Sequence, residues 1–184
     1  MEAILIISSF LLWVLVLLNM LLILGLARRM RAVFPRMEFL KVGQPAPDFA
    51  AQTLQGETVT LSTYAQRAIV FVFISPDCKP CHDELPRLEG LRPKAKQFGV
   101  ELVLVSDANA TKTQSLVEEH RLDLPILIAP RENNPFFSDY KVMGAPFYCL
   151  VDTQGKVQAT GMSLFDIERK MEAREAKGGD ERGK

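Results

Sequence analysis

Two cysteines separated by two residues, Cys78 and Cys81, are the side chains in this sequence best suited to covalent chemistry. They follow six consecutive apolar residues, 69–74, and a Ser-Pro-Asp turn, 75–77. This order predicts a strand that ends in a turn, and then a helix that begins at the cysteines. A helix N-terminus and a C-x-x-C spacing both stabilise a thiolate. We therefore expect Cys78 to act as the nucleophile and Cys81, one turn later and more enclosed, to close a disulfide with it.

The neighbours of the cysteines are expected to set where the helix starts and how much charge Cys78 carries. Ser75 or Asp77 can cap the helix, because their side-chain oxygens accept hydrogen bonds from free N–H groups in its first turn. The carboxylate of Asp77 would disfavour the neighbouring thiolate, and the ammonium group of Lys79 would offset part of that effect.

The cysteines lie in a region where predicted strands and helices alternate, before a hairpin and a helix close the pattern. Expected strands are 51–54, 57–61, 68–74, 100–105, 126–129, 147–151 and 156–160. Expected helices are 83–98, 111–121, a turn near 136–140, and 164–176. This order predicts an α/β fold, a three-layer sandwich with a mixed β-sheet.

Residues 3–27 contain no charged side chain and consist mainly of leucine, isoleucine and valine. A bilayer core of about 30 Å is spanned by roughly 20 helical residues, so this segment predicts one N-terminal transmembrane helix. A cleavable signal peptide is the competing interpretation, but it would need basic residues before a shorter apolar stretch. Here Glu2 precedes the segment and Arg28, Arg29 and Arg31 follow it, so an uncleaved anchor is the better prediction.

Composition divides the 184 residues into four parts. We expect a membrane anchor at 3–27, a basic linker at 28–42, a globular domain at 43–176 and a disordered charged tail at 177–184. The formal net charge is zero, so it gives no argument for a nucleic-acid partner. Three cysteines are too few for the disulfide framework of a small secreted protein.

Four segments of the globular part match a known family pattern. They are V-G-Q-P-A-P-D-F at 42–49, C-K-P-C-H-D-E-L-P-R-L at 78–88, G-A-P-F at 144–147 and V-D-T-Q-G-K-V at 151–157. With them, residues 42–170 resemble the thioredoxin-like superfamily, in particular its membrane-tethered TlpA-, ResA- and MauD-type branch. The spanning segment together with S-P-D-C-K-P-C is most similar to MauD-type methylamine-utilisation proteins. The resemblance implies a thioredoxin-like fold and a thiol–disulfide oxidoreductase.

The resemblance also implies roles for residues around the cysteines. Pro146 stands where thioredoxin-like proteins place a cis-proline, and it would lie against Cys78. The backbone of Ala145 would then pair with an extended substrate peptide, as an added strand does. Lys79 and Pro80, between the two cysteines, are further candidates for substrate binding. Taken alone, Pro146 would be interpreted as a proline of an edge strand or a turn.

Glu84 follows Cys81 by three residues, so both side chains fall on one face of the helix. In the ResA-like pattern the matching glutamate lies beside the active site, which implies that Glu84 helps to move the proton that Cys81 must lose. A solvated helix charge is the alternative. Thioredoxin carries a buried aspartate where this chain has Val72, and a tryptophan where it has Asp77. Proton transfer would therefore fall to Glu84 or to water.

Other chemistries fit the sequence less well. A structural zinc site needs four ligands, and beyond the C-x-x-C pair the chain offers only Cys149, His82 and His120. No metal and no organic cofactor are therefore predicted. Cys149 lies in an apolar strand and is expected to be an inert core residue.

A peroxidase of the peroxiredoxin type is an alternative, because residues 42–49 also resemble that family. The reactive cysteine of peroxiredoxins follows a P-x-x-x-[ST]-x-x-C pattern, but Phe71 and Ile74 occupy the proline position in the two possible registers. A dedicated peroxide pocket is not expected, although the dithiol could support antioxidant activity. The non-enzyme alternative is a membrane-held thioredoxin-like adaptor whose cysteines do not react.

Two arguments give opposite answers for the side of the membrane. Arginines on the C-terminal side of the anchor favour a cytoplasmic globular part, by the positive-inside rule. The resemblance favours the outer face, with a role in maturing a protein of the cytochrome c or methylamine dehydrogenase type, and the balance lies slightly with the outer face. It also implies a cysteine-containing client, and a membrane dithiol carrier of the DsbD or CcdA type as electron partner.

Overall fold

The structure is a computed structural model of the chain, and it describes residues 2–33, 39–163 and 166–169. The chain divides into two compact units, residues 1–38 and 39–184. The linker residues 34–38, the tail at 177–184 and most of the last predicted helix lie outside the described residues. The four-part division of the chain therefore stays a prediction.

The described part of the first unit is one long helix, α1 (Glu2–Val33). Its apolar stretch, Leu5–Leu26, has 22 residues, none of them buried within the protein. At about 1.5 Å per residue this stretch is roughly 33 Å long, which matches a bilayer core of about 30 Å. α1 is therefore long and apolar enough to cross a membrane. Its backbone stays helical through the arginines at 28–31.

The second unit is built on a seven-stranded mixed sheet with the order β2-β1-β5-β4-β3-β6-β7. The strands are β1 (Ala50–Thr53), β2 (Thr58–Thr60), β3 (Ala68–Ile74), β4 (Val100–Ser106), β5 (Ile126–Ile128), β6 (Phe147–Val151) and β7 (Val157–Gly161). β3, β4 and β5 run parallel, whereas β6 pairs with β3 and β1 pairs with β5 in antiparallel fashion. All seven predicted strands form, with bounds that differ by no more than one residue.

β3 lies inside the sheet between β4 and β6, and all seven of its residues are buried. Its side chains alternate between two hydrophobic cores, as the pleat of a strand requires. Val70 and Val72 face the first core, which also holds Cys81. Phe71 and Phe73 face the second core, which is rich in aromatic rings. A strand covered on both faces explains the uninterrupted apolar sequence.

Helices cover both faces of this sheet. α2 (Lys79–Gln97), α3 (Ala110–His120) and a helical segment at 166–169 contribute buried side chains to the first core. α4 (Phe136–Asp139) and the entry segment at 39–49 contribute to the second core. The predicted three-layer α/β sandwich with a mixed sheet is confirmed.

Candidate active site

The two cysteines lie where β3 ends and α2 begins. After Ile74 the chain makes a tight turn, in which the N–H of Cys78 donates to the carbonyl of Ser75 at 3.1 Å. α2 begins at Lys79, so Cys81 belongs to its first turn. Because β3 is held between two strands, the position from which the cysteine turn leaves the sheet is fixed.

Cys78 itself is the N-cap residue of α2, and the prediction that Ser75 or Asp77 caps the helix is wrong. Cys78 has an extended backbone, with φ −101° and ψ 103°, and its sulfur accepts a hydrogen bond from the N–H of Cys81 at 3.3 Å. The turn that begins at Ser75 is closed by the N–H of Cys78, so residue 78 lies at the helix boundary. Ser75 and Asp77 lie before that boundary. The N–H of Cys81 also donates to the Cys78 carbonyl at 2.9 Å, so it is shared between oxygen and sulfur, and it would stabilise a thiolate at Cys78.

Cys78 and Cys81 form a disulfide, with their Cα atoms 5.3 Å apart. The two sulfurs differ in access, because Cys81 is only 1% exposed whereas Cys78 is partly exposed. An incoming protein can therefore reach Cys78 and not Cys81. This asymmetry agrees with the expectation that Cys81 is the more enclosed of the two.

The loop before β6 brings Ala145 and Pro146 to the cysteines. Phe147, which follows this loop, pairs with Phe73 near the end of β3. The peptide bond between Ala145 and Pro146 is cis, and the carbonyl oxygen of Ala145 lies 3.4 Å from the sulfur of Cys78. The structure thus places these two residues together with Cys78, as the resemblance implied.

Exposed side chains surround this contact. Lys79 and Pro80 occupy the first two positions of α2 and are both exposed. A proline there leaves the helix intact, because the first N–H groups of a helix have no partner within it. Met143 and Met162 are 51% and 48% exposed, and a methyl group added at Gly144 would lie 3.5 Å from the terminal carbon of Met162. The partly exposed sulfur thus stands beside a rim of flexible apolar side chains.

Glu84 lies one helical turn beyond Cys81 and is partly buried. Its Oε2 atom is buried and has no hydrogen-bond partner among the described residues. A buried carboxylate oxygen without a hydrogen-bond partner is unfavourable, so this atom keeps an unused acceptor position one helical turn from Cys81. Val72, at the position of the thioredoxin aspartate, is fully buried in the same core as Cys81.

Sequence patterns do not reveal Lys112, which forms an exposed ion pair with the carboxylate next to Cys78. Its ammonium group donates to the Asp77 carboxylate at 2.9 Å, and this hydrogen bond and the attraction between the charges raise the pKa of Lys112. The partial offset of Asp77 by Lys79 stays a prediction. Lys112 comes from the first turn of α3, 35 residues along the chain, and the pairing of β3 with β4 brings it close.

A second missed feature is a cluster of His82, Glu119 and His120, whose possible ligand atoms all lie within 4.8 Å of one another. His82 follows Cys81 in α2, while the other two residues end α3. The sequence analysis counted both histidines but did not bring them together. His82 and His120 are 38 positions apart, so no local sequence pattern links them. Their proximity depends on the packing of α3 relative to α2.

Cys149 lies in β6 on the other face of the sheet, where it is fully buried opposite Phe71. Burial raises the pKa of its thiol to about 12. At neutral pH this cysteine therefore stays protonated, and the prediction that it is a core residue is confirmed.

The chain matches the AhpC/TSA family over residues 42–160. It therefore belongs to this family, and its thioredoxin-like fold and C-x-x-C disulfide place it among the thiol–disulfide oxidoreductases. The predicted class of enzyme is confirmed. The narrower resemblance to MauD-type proteins stays a prediction.

Individual relatives and solved structures give the same class. The chain is 32% identical over 144 residues to the thiol–disulfide oxidoreductase ResA of Geobacillus kaustophilus, covering 76% of this chain and 82% of that protein. It is 30% identical over 125 residues to ResA of Bacillus thuringiensis, covering 67% and 71%. A crystal structure described as a DsbE thiol:disulfide interchange protein of Chlorobium tepidum matches with a TM-score of 0.64 and 27% identity, covering 73% and 97%.

Proposed function

We propose that this chain exchanges disulfides with cysteine-containing partner proteins, with Cys78 as the attacking thiol and Cys81 as the resolving thiol. One observation carries the proposal. The Cys78–Cys81 disulfide sits at the start of α2, and its accessible sulfur lies 3.4 Å from the Ala145 carbonyl. The sulfur of Cys78 therefore lies both at a helix end that stabilises a thiolate and beside a backbone edge that can pair with an incoming peptide.

In the reducing direction the exchange has two steps. The Cys78 thiolate attacks one sulfur of a client disulfide, which forms a mixed disulfide and releases the other client sulfur as a thiolate. The Cys81 thiol then loses its proton and attacks the sulfur of Cys78, which releases the second client thiolate and forms the Cys78–Cys81 disulfide. Two electrons pass to the client, so a dithiol donor must reduce this chain again. The reduction potential of the pair decides which direction dominates.

We propose that Glu84 accepts the proton that Cys81 loses when it attacks the mixed disulfide. Because burial disfavours a charged sulfur, Cys81 needs a base at the moment of its attack. The buried Oε2 atom of Glu84, which has no hydrogen-bond partner within the part of the chain that the structure describes, lies on the same helix one turn away. Thioredoxin has a buried aspartate at the position of Val72, but valine cannot accept a proton. This difference supports a role for Glu84.

Client proteins would dock on the rim around Cys78. An extended client segment would pair with the backbone at Ala145, beside Pro146, while Lys79 and Pro80 would contact it from the helix side. The exposed thioethers of Met143 and Met162 suit such a surface, because methionine side chains adapt to many apolar shapes. Because backbone hydrogen bonds and flexible methionine side chains read little of the client sequence, the enzyme would bind clients of differing sequence.

We further propose that α1 anchors the enzyme in the cytoplasmic membrane as a single pass, with the oxidoreductase domain on the outer face. Its role there would be the maturation of an extracytoplasmic protein of the cytochrome c or methylamine dehydrogenase type. Electrons would come from a membrane dithiol carrier of the DsbD or CcdA type. The length and composition of α1 support the anchor, and the similarity to ResA and DsbE supports the exchange of disulfides.

The exchange is tested with the full chain in detergent, reduced, freed of reductant and mixed with one equivalent of a protein disulfide. Acid quenching and alkylation then count thiols on both partners by mass spectrometry. We expect the chain to lose two thiols as the client gains two, with Cys78 and Cys81 recovered as a disulfide. No transfer of thiols over hours would contradict the proposal.

Hydrogen peroxide serves as the contrasting oxidant in the same assay. The peroxiredoxin alternative predicts that peroxide oxidises the reduced chain faster than a protein disulfide does at equal concentration. Our proposal predicts the opposite order. Repeating both reactions in glutathione buffers gives the reduction potential, and with it the preferred direction of electron flow.

The side of the membrane is tested separately with a reporter fused after Lys184. A reporter active only outside the cytoplasm is expected. A reporter active only in the cytoplasm would contradict the maturation role, while leaving the exchange chemistry unaffected.

A further inference from the structure

His82 on α2 and His120 on α3 face each other with their ring nitrogens in direct contact. Nδ1 of His82 lies 2.9 Å from Nε2 of His120, and the ring centroids are 4.9 Å apart. One possible ligand atom from each of His82, His120 and Glu119 lies within 4.8 Å of the other two. The two histidines are half-buried, whereas Glu119 is exposed, so one side of the cluster opens to solvent.

The hydrogen-bond partner of the other His82 nitrogen fixes where its proton sits. Nε2 of His82 lies 2.7 Å from the carbonyl oxygen of Pro76. A carbonyl can only accept, so Nε2 carries the proton, and in the neutral ring Nδ1 presents a lone pair. That lone pair points at Nε2 of His120. Either His120 donates a proton to it, or both nitrogens present lone pairs to a cation between them.

We propose that His82, His120 and Glu119 bind one divalent transition-metal ion, such as Zn²⁺. The ligands are Nδ1 of His82, Nε2 of His120 and a carboxylate oxygen of Glu119. Solvent takes the fourth position, on the exposed side. This proposal is independent of disulfide exchange, because none of the three ligands has a role in that reaction.

Metal chemistry supports this set of ligands. Two imidazoles and a carboxylate are common ligands of zinc and of other late first-row metals. With Zn–N bonds of about 2.0–2.1 Å, a tetrahedral ion separates two nitrogens by about 3.3 Å. The present separation of 2.9 Å therefore needs a shift of only a few tenths of an ångström. The bond from His82 to a backbone carbonyl is the outer contact that metal-binding histidines usually make.

The end of α3 also favours a cation. Glu119 and His120 are the last two residues of this helix, and Arg121, with φ 51°, turns the chain away from it. The C-terminal carbonyl groups of a helix carry a partial negative charge. The carboxylate of Glu119 adds a full one.

The test is isothermal titration of the oxidised full-length chain in detergent with Zn²⁺. The disulfide keeps Cys78 and Cys81 from binding the metal, and Cys149 is buried. We expect one ion per chain. His120→Gln should weaken binding at least about 100-fold, because it removes a direct ligand, whereas changes to outer contacts weaken it about 10- to 100-fold.

Matched controls separate the site from nonspecific binding. Glu119→Gln should weaken the binding of Zn²⁺, whereas Glu118→Gln on the same helix should not, because Glu118 instead accepts a hydrogen bond from Gln114. Imidazole NMR gives a second measurement. Adding Zn²⁺ should move the His120 proton from Nε2 to Nδ1 and leave the His82 proton on Nε2.

Two results would overturn the metal site. One is the absence of a stoichiometric binding event in the wild-type chain. The other is a His120→Gln variant that binds Zn²⁺ as tightly as the wild type. If in either case the variant also unfolds at a lower temperature, the His82–His120 contact serves to hold α3 against α2.

Discussion

The cysteines of the two hydrophobic cores show how position alone separates a reactive sulfur from an inert one. Cys78 borders the first core at the N-terminus of α2, partly exposed and within reach of a helix N–H. Cys149 lies in the second core, fully buried among aromatic rings, and burial raises its pKa to about 12. The side chains are identical, so the difference in chemistry comes from solvent access and from the N–H groups of a helix end.

The two faces of β3 are specialised in the same way. One face packs against Cys81 of α2, and this helix also carries the Glu84 carboxylate oxygen that has no hydrogen-bond partner among the residues described. The opposite face is closed by Phe71, Phe73 and their aromatic neighbours. The aromatic core on one face of β3 therefore holds the sheet in place, while the border of the core on the other face carries the reactive disulfide. This division predicts that changes to the cysteines have very different effects.

The largest expected effect comes from the attacking sulfur. Cys78→Ser should lower the rate of exchange with a protein disulfide more than about a thousandfold, because no other accessible thiol can replace it. Cys149→Ala should change that rate less than about twofold. Stopped-flow or quenched-flow thiol counting measures both variants. A Cys78→Ser variant with normal exchange would break the comparison and favour the adaptor alternative.

Alkylation sharpens the same contrast without a client. In the reduced wild-type chain at pH 8, iodoacetamide should modify Cys78 at least about 100 times faster than Cys149. With a pKa of about 12 only roughly one Cys149 thiol in ten thousand is ionised at that pH. Peptide mapping by mass spectrometry measures both rates, and denatured protein should react at all three cysteines. Equal native rates would show that Cys149 is accessible.

The effect of Glu84 should be intermediate. Glu84→Gln should slow the resolving step about 10- to 100-fold and make it less dependent on pH, because a general base is lost. The formation of the mixed disulfide should be unaffected. Asp83→Asn, an exposed neighbour in the same helix, is the matched control and should change neither step. If both variants behave alike, Glu84 is a solvated helix charge.

The last effect appears only at high pH and concerns stability. The folded chain keeps Cys149 protonated up to about pH 12, whereas the unfolded chain loses that proton above pH 9.0. Stability from this thiol is therefore complete below pH 9.0, and the free energy of unfolding falls between pH 9.0 and about 12, by at most about 1.4 kcal/mol per pH unit.

Cys149→Ala tests this pH dependence. The variant should be less stable at neutral pH, because it leaves a small cavity, but its stability should fall less steeply above pH 9. Burial also raises the pKa values of Tyr64 and Tyr148 to about 12, so both chains keep a further loss of stability above pH 10. Urea unfolding at a series of pH values measures the slopes. Parallel slopes would contradict the raised pKa of Cys149.

Much of this fold and the reactive pair could be predicted from local sequence. The apolar run at 69–74 predicted a central strand, and the spacing of Cys78 and Cys81 predicted a disulfide at a helix start. These features depend on neighbouring residues, which sequence patterns record directly. The position of Ala145 and Pro146 came from family resemblance, because 67 residues separate Ala145 from Cys78.

Contacts between elements could not be predicted in this way. Lys112 meets Asp77, and His120 meets His82, because β3 pairs with β4 and this brings α3 to the same side of the sheet as the start of α2. The helix cap was also assigned to the wrong residue. Ser75 and Asp77 have the side chains that usually cap helices. However, both lie within the turn at 75–78, and the N-cap position that follows is occupied by Cys78.

The most direct test of the central claim is to trap the mixed disulfide and locate it. Cys81→Ser, mixed in the reduced state with a client disulfide, should accumulate a covalent complex because the resolving thiol is missing. Digestion and mass spectrometry should find the client cysteine joined to Cys78 in that complex. A complex joined to Cys149, or one that Cys78→Ser forms equally fast through Cys81, would contradict the claim that Cys78 is the attacking sulfur.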